Sequence, residues 1–365
     1  MRSASPTSGP SAVARETAAA VDPHRQSAQE APLPTRTVFS QSRKSPWTVD
    51  AMPDCSGKTV VVTGANSGLG LEASRAFAGK GAHVVLACRS TSRGDDAREE
   101  ILKDHPDASL DVRELDLANL DSVRSFAEVF TDDYDDLDVL CNNAGVMATP
   151  YRTTADGFEL QFGVNHLGHF ALTGQLLPMI AATPGETRVV TTSSGAHRMG
   201  EIDLDDLHHQ RSYGKWEAYG QSKLANLLFA YELDRRLGAA DVDVTSVAAH
   251  PGYAATNLQL RGPEMEGADL RERLMALTNN VVAQSAERGA LPILYAATAA
   301  DVRGGDYVGP DGLAEMRGYP TKVTSSDRSY DMQLADELWA VSEELTDVSY
   351  DFEALPNGRT TPTAD

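Results

Sequence analysis

Thr59-Val60-Val61-Val62-Thr63-Gly64-Ala65-Asn66-Ser67-Gly68-Leu69-Gly70 runs directly into Leu71-Glu72-Ala73-Ser74-Arg75-Ala76-Phe77. An apolar β-branched run, a glycine-rich turn and a helical pattern stand in that order. That order is the context a dinucleotide-binding loop requires. Gly64, Gly68 and Gly70 let the backbone turn tightly and approach a pyrophosphate. The helix that follows offers unpaired N–H groups and the positive end of its dipole. A glycine-rich turn alone also suits a purely structural corner. The strand before it and the helix after it favour a nucleotide.

The same alternation continues outward. Thr59–Val62, His83–Cys88, Leu110–Leu115, Val139–Asn142, Arg188–Thr192 and Val242–Ala248 are short, apolar and rich in β-branched residues. Amphipathic stretches lie between them, including Ser122–Phe130, Phe158–Ile180 and Trp216–Leu237, and Gly305–Gly309 is a last strand candidate. The pattern predicts one α/β domain over 51–347, a Rossmann-type doubly wound parallel sheet with helices on both faces. Residues 1–50 are expected to be a disordered or extended N-terminal segment, and 348–365 a C-terminal tail. The stretch of about 253–283 follows Pro251-Gly252, mixes charges with scattered Leu and Met, and reads as a substrate loop.

Composition narrows the function classes. A chain of 365 residues can bury a sizeable core. No apolar run approaches the ~20 residues that span a bilayer. The start of the chain lacks the apolar core of a secretory signal, so a soluble cytoplasmic protein is expected. Cys55, Cys88 and Cys141 are unclustered and read as buried thiols. The net charge of −21, with acidic runs at 131–136 and 203–206, disfavours nucleic acid as a partner. Neither run has the glycine and distal Glu of a calcium loop, and no metal is expected. The charge suits a strongly solvated surface in a high-salt cytoplasm.

Tyr219-Gly220-Gln221-Ser222-Lys223 places a phenol and an ammonium four residues apart, on one helical face. A free phenol, with a pKa near ~10, is a sluggish acid–base group at neutral pH. A neighbouring ammonium favours the phenolate and lowers that value. Such a Tyr can give a proton to a carbonyl oxygen, or take one from an alcohol.

Over roughly 57–309 the chain resembles the short-chain dehydrogenases/reductases. The motifs that carry the resemblance are, in order, Thr63-x-x-x-Gly68-x-Gly70, Asn142-Asn143-Ala144-Gly145, Ser193-Ser194, Tyr219-x-x-x-Lys223 and Pro251-Gly252. The resemblance implies that Tyr219 is the general acid/base and that Lys223 lowers its pKa and holds the nicotinamide ribose. It implies that Ser194, rather than Ser193, polarises the substrate carbonyl. Asn165 would hold a water in the proton relay behind Lys223. Gly64, Asn66, Ser67, Gly68, Leu69 and Gly70 would hold the cofactor's phosphates. Asp116, with Leu117 beside it, would accept a hydrogen bond from the adenine amine. Asn143, Ala144 and Gly145 would cap the strand beneath the cofactor, and Pro251, Gly252 and Thr256 would lie along the nicotinamide. Thr192 stands where many members carry Asn, a departure expected to cost little.

The run Asn165-His166-Leu167-Gly168-His169-Phe170, the insertion around Ile202–Leu207 and the segment Leu338–Ser342 are similar to the retinol-dehydrogenase-like subgroup. Protochlorophyllide reductases share such features, so reduction of a ring double bond is an alternative. A cofactor-binding sensor without turnover is another. An acid at the end of the second strand would select NAD. Here that strand ends in Arg89-Ser90, and a guanidinium suits a 2′-phosphate. NADP is therefore favoured over NAD, with Ser67 and Arg93 assisting. The resemblance also suggests a homodimer or homotetramer, through the helices spanning Phe158–Ile180 and Trp216–Leu237. His197, His208 and His209 read as residues of a polar loop, and His166 and His169 as packing or capping groups.

Overall fold

The computed structural model describes residues 46–253 and 284–356. Its centre is an eight-stranded sheet in the order β3-β2-β1-β4-β5-β6-β7-β8. The strands are β1 (Thr59–Thr63), β2 (His83–Cys88), β3 (Leu110–Glu114), β4 (Val139–Asn142), β5 (Thr187–Thr192), β6 (Val244–Ala249), β7 (Tyr307–Pro310) and β8 (Pro320–Val323). Neighbouring strands run parallel except β7 and β8, which pair antiparallel. Strand order reverses between β1 and β4, the switch point at which open α/β sheets take ligands.

The helices are α1 (Gly68–Gly79), α2 (Thr91–Asp104), α3 (Leu120–Asp133), α4 (Leu160–Phe162), α5 (Gly168–Ala182), α6 (Lys215–Ala239), α7 (Ala286–Thr298) and α8 (Met332–Thr346). In β1, Val60 and Val62 join the core under α1 and α7, while Val61 joins the opposite core under α3 and α5. In β2, Val84 and Leu86 divide from Val85 and Ala87 in the same way. Burial on both faces is why these strands read as unbroken apolar runs. The doubly wound sheet is as expected.

Several boundaries differ from the sequence expectation. The single helix expected over Phe158–Ile180 is instead α4, a π-helical turn at Gly163–Leu167, and α5. Such wide turns occur inside helices at functional positions. β6 begins at Val244 because the Val242 N–H closes α6 by donating to the Leu237 carbonyl. β8 was not foreseen. It opens on a proline, which an edge strand tolerates. The folded unit also begins before Ala51, since Trp47 packs edge-on against Tyr295 with ring centres 5.2 Å apart. Within the expected loop at 253–283, only Tyr253 falls among the described residues, so Thr256 lies outside them.

The end of the chain is core rather than tail over its described part. Asp331 caps α8 by accepting from the Gln333 and Leu334 N–H groups. Trp339 of α8 stacks on Phe229 of α6 and meets Phe170 of α5 edge-on, at 5.7 and 5.1 Å. Beyond α8, the Tyr350 hydroxyl donates to the Phe170 carbonyl at 2.6 Å. α8 therefore packs on the face of α5 and α6 that carries Phe170 and Phe229. Trp339→Ala should cost about 3–5 kcal/mol, read as a lower urea midpoint. A loss below about 1 kcal/mol would show that α8 is not part of the core.

Candidate active site

The site is assembled at the C-terminal end of β1. Thr63 Oγ1 accepts the backbone N–H groups of Asn143 and Ala144, each at 2.9 Å, and lies 2.9 Å from His169 Nε2. His169 Nδ1 faces the Asn165 carbonyl at 3.1 Å, so that nitrogen carries the proton. Burial keeps the ring neutral, with its pKa lowered to about 4. Nε2 is then an acceptor, and Thr63 donates to it. Asn143 Nδ2 donates to the Thr63 carbonyl at 2.8 Å. The strand end, the Asn142–Gly145 motif and the π-turn are thus joined through one hydroxyl.

Beside this junction lies a cleft of about 740 Å³. Gly64, Asn66, Ser67, Gly68, Leu69 and Gly70 form one side of it, with Arg89, Arg93, Asp116, Leu117, Asn143, Ala144 and Gly145 around them. Gly64 and Gly68 adopt φ of +67° and +58°, which favour glycine. A Cβ on Gly70 would fall 2.5 Å from the Gly64 carbonyl oxygen. Ser67 makes no side-chain cap at the start of α1, leaving the first-turn N–H groups for a ligand. The residues present fit the phosphates of a dinucleotide. Asp116 is the one carboxylate among the described lining residues, against Arg89, Arg93 and Arg152.

The acid–base pair is deeper. Tyr219 and Lys223 are buried on α6, with Lys223 Nζ 5.9 Å from the centre of the Tyr219 ring. The Ser194 side chain lies by the Tyr219 phenol and opposes the rise that burial imposes on its pKa, while its Oγ accepts the Ala196 N–H at 3.2 Å. Ser193 Oγ instead donates to the Lys223 carbonyl at 2.8 Å, so the second serine is the one presented to the phenol. A Cβ on Gly145 would lie 3.6 Å from Lys223 Nζ, so a bare glycine separates the ammonium from the cleft. Thr192 contributes its carbonyl, to Lys223 Nζ at 3.0 Å and Asn226 Nδ2 at 2.9 Å, while its buried hydroxyl has no hydrogen-bond partner among the described residues. Pro251 and Gly252 follow β6 and are braced by Gln284, whose Nε2 donates to the Pro251 carbonyl at 2.5 Å. The described cleft lining does not reach Ser194, Tyr219, Lys223, Pro251 or Gly252.

Two expectations change here, and the place of Asn165 gains detail. The Asn165 side chain is held by protein groups. Its Nδ2 donates to the Val146 carbonyl and to Ser222 Oγ, both at 2.9 Å, and its Oδ1 accepts from the Val146 N–H at 2.8 Å. Asn165 is a positioning residue in this arrangement. The expected lowering of Tyr219 by Lys223 is absent. Burial pushes the phenol up to about 12, opposed only by the Ser194 side chain, while burial lowers Lys223 to about 7. The ammonium is spent on the Thr192 carbonyl, and desolvation outweighs its distant pull. Finally, His197 is not in a polar loop. It is buried, its Nδ1 donating to the Ser194 carbonyl at 2.6 Å and its Nε2 accepting from the Ser326 N–H at 3.1 Å. It positions the backbone of Ser194. His208 stacks on Phe158 and accepts from the Glu159 N–H at 3.3 Å.

One wall of the cleft was missed altogether. Arg152, Thr153, Thr154 and Ala155 line it. They open a hairpin closed by a Thr153–Glu159 bridge, with Gly157 at φ +89° in the turn. The signal available was Asp156-Gly157, a turn pair between two short segments.

The sequence pattern described as short chain dehydrogenase matches residues 58–266. The chain belongs to the short-chain dehydrogenase family. It is an oxidoreductase of the class that acts on CH–OH groups with a nicotinamide dinucleotide. Retinol dehydrogenase 13 of Homo sapiens is 41% identical over 293 residues, covering 79% of this chain and 84% of that one. Short-chain dehydrogenase TIC 32 B, chloroplastic, of Brassica napus is 37% identical over 303 residues, covering 80% and 90%. A solved structure of an uncharacterized protein from Mycobacterium paratuberculosis is 44% identical, with a TM-score of 0.69 and coverage of 84% and 99%. Among the described residues no helix is long and apolar enough to cross a membrane, and no three potential metal ligands cluster.

The buried Lys223 gives this dehydrogenase a testable pH signature. Burial lowers its pKa in the fold to about 7, below the ordinary lysine value of 10.5, so the unfolded chain binds more protons between the two values. Stability should therefore rise with pH in that window. Between pH 7 and 9 the wild type should gain urea stability relative to Lys223→Met. Parallel curves would show that the ammonium keeps its ordinary pKa in the fold.

Proposed function

We propose that this dehydrogenase is an NADP(H)-dependent oxidoreductase that interconverts a lipophilic carbonyl compound and its alcohol. The observation that carries the reading is the pairing of two sites: a phosphate-fitting cleft, and the buried Tyr219 and Lys223 on the far side of Gly145, with Ser194 beside the phenol. When bound, the reduced nicotinamide supplies a hydride. Tyr219, protonated at neutral pH, gives its proton to the substrate oxygen, and Ser194 donates a hydrogen bond that polarises the same oxygen. Lys223 holds the ribose and, once turned toward it, favours the phenolate left behind.

Arg89 and Arg93 support NADP. They sit at the end of β2 and the start of α2, and neither has a carboxylate partner among the described residues. Trp216 supports an apolar substrate. It is half exposed and meets the Tyr219 ring edge-on at 6.2 Å, so apolar surface borders the phenol. The retinol dehydrogenases among its relatives agree with that surface.

The test follows NADPH oxidation across a panel of aldehydes and ketones in molar KCl. Tyr219→Phe should lower turnover by about 10²–10⁴-fold while NADPH binding persists. Undiminished turnover in that variant would remove Tyr219 from the chemistry. Arg89→Gln should weaken NADPH roughly tenfold or more and leave NADH unchanged. A wild type that binds NADH more tightly than NADPH would overturn the cofactor preference.

A further inference from the structure

Among the described residues, Arg89, Arg93 and Arg152 are the arginines without a hydrogen-bond, ion-pair or ring partner, and all three line the same cleft. Other arginines are engaged, as in Arg113–Asp133 at 2.8 Å and Arg236–Asp336 at 2.6 Å. With 53 acidic residues against 32 basic ones, a guanidinium on this chain finds a carboxylate easily. Three that do not, around one cleft, mark a place kept for a foreign anion. Arg89 and Arg93 belong to the β2–α2 side. Arg152 comes from a different wall, and nothing above gives it a task.

Its backbone is firmly placed. The Leu160 N–H donates to the Arg152 carbonyl at 2.9 Å, closing the hairpin. The hairpin is tied to the rim carrying Leu117 by the Ala155 N–H on the Ala118 carbonyl at 2.9 Å, and by the Leu120 N–H on Asp156 Oδ2 at 3.1 Å. The glycine-rich turn meets phosphates with N–H groups but contains no cation between Gly64 and Gly70. A diphosphate brings two negative charges into a chain of net charge −21.

We propose that Arg152 is a cofactor-positioning residue whose guanidinium clasps the dinucleotide's diphosphate from the hairpin wall. A guanidinium fork matches phosphate oxygens in charge and geometry. The assignment rests on the dinucleotide reading of the cleft and is independent of the preference for NADP. Because NADH and NADPH share the diphosphate, Arg152 must act on both alike, whereas Arg89 must separate them.

The experiment titrates NADH and NADPH, by nicotinamide fluorescence, into wild type, Arg152→Gln, Arg152→Lys and Arg89→Gln at low ionic strength. Arg152→Gln should weaken both nucleotides by the same factor, roughly tenfold, with Arg152→Lys recovering part. The deficit should shrink in 1 M salt, where the Debye length is about 3 Å. Melting temperatures without nucleotide should match wild type, since the side chain is exposed and unpartnered. Unchanged affinity for both nucleotides would overturn the proposal. A loss confined to NADPH would overturn it by placing Arg152 on the 2′-phosphate. A change only in the KM of a carbonyl substrate would do so by placing it on the substrate. Failure of the wild type to bind either nucleotide would instead bring down the cofactor reading, and this proposal with it.

Discussion

The Thr63 hydroxyl is the junction on which the rest of the site depends. With the His169 tautomer set by the Asn165 carbonyl, Thr63 has one donor and two acceptor directions, and all are committed. Through them the end of β1 is held to Asn143, Ala144 and His169. The path continues from His169 to Asn165, from Asn165 to Val146 and Ser222, and from Ser222 Oγ to the Tyr219 carbonyl at 2.8 Å. Glycine-rich turn, cleft end and catalytic helix are therefore coupled by buried hydrogen bonds rather than by packing alone. In such a network a single unmatched partner is costly, because the remaining groups have no water to turn to.

Charge is organised with the same economy. Most arginines among the described residues pair with nearby carboxylates, a few others bond backbone carbonyls or a tyrosine, and the cleft keeps those with no side-chain partner. A strongly acidic chain repels an anionic cofactor at long range, so attraction has to be local. Concentrated salt would screen the repulsion between distant charges more than it weakens a contact inside the cleft. An acidic exterior and an arginine-lined cleft are thus compatible features of one enzyme.

The strands and the glycine-rich turn were legible because they rest on local rules: apolar runs buried on two faces, and glycines where φ is positive. The Tyr219–Lys223 spacing was legible because i and i+4 share a helical face. What was not legible depends on partners far apart in sequence. That Val146 and Ser222 hold the Asn165 amide is not visible from the motif around it. His197 reads as a loop residue until Ser326, 129 positions later, is found on its Nε2. The segment Leu338–Ser342 reads as a subgroup likeness until Trp339 is found packed on Phe229. Arg152 carried no motif at all, and only the hairpin brings it to the cleft.

The acid–base pair shows why burial and function pull in opposite directions here. Desolvation raises Tyr219 and lowers Lys223, moving each toward its neutral form. A carboxylate beside Lys223 would have kept it charged, and none pairs with it among the described residues; its partner is the neutral Thr192 carbonyl. A carboxylate would also have cancelled the positive field that the proposed mechanism asks of Lys223. The arrangement accepts a less stable ammonium in exchange for one that is not already neutralised. Gly145 completes this logic, because any side chain there would stand between Lys223 and the cleft. In the proposed mechanism the anion that would satisfy the buried ammonium is the phenolate formed when Tyr219 gives up its proton, so the lysine's strongest interaction would be reserved for the moment of reaction.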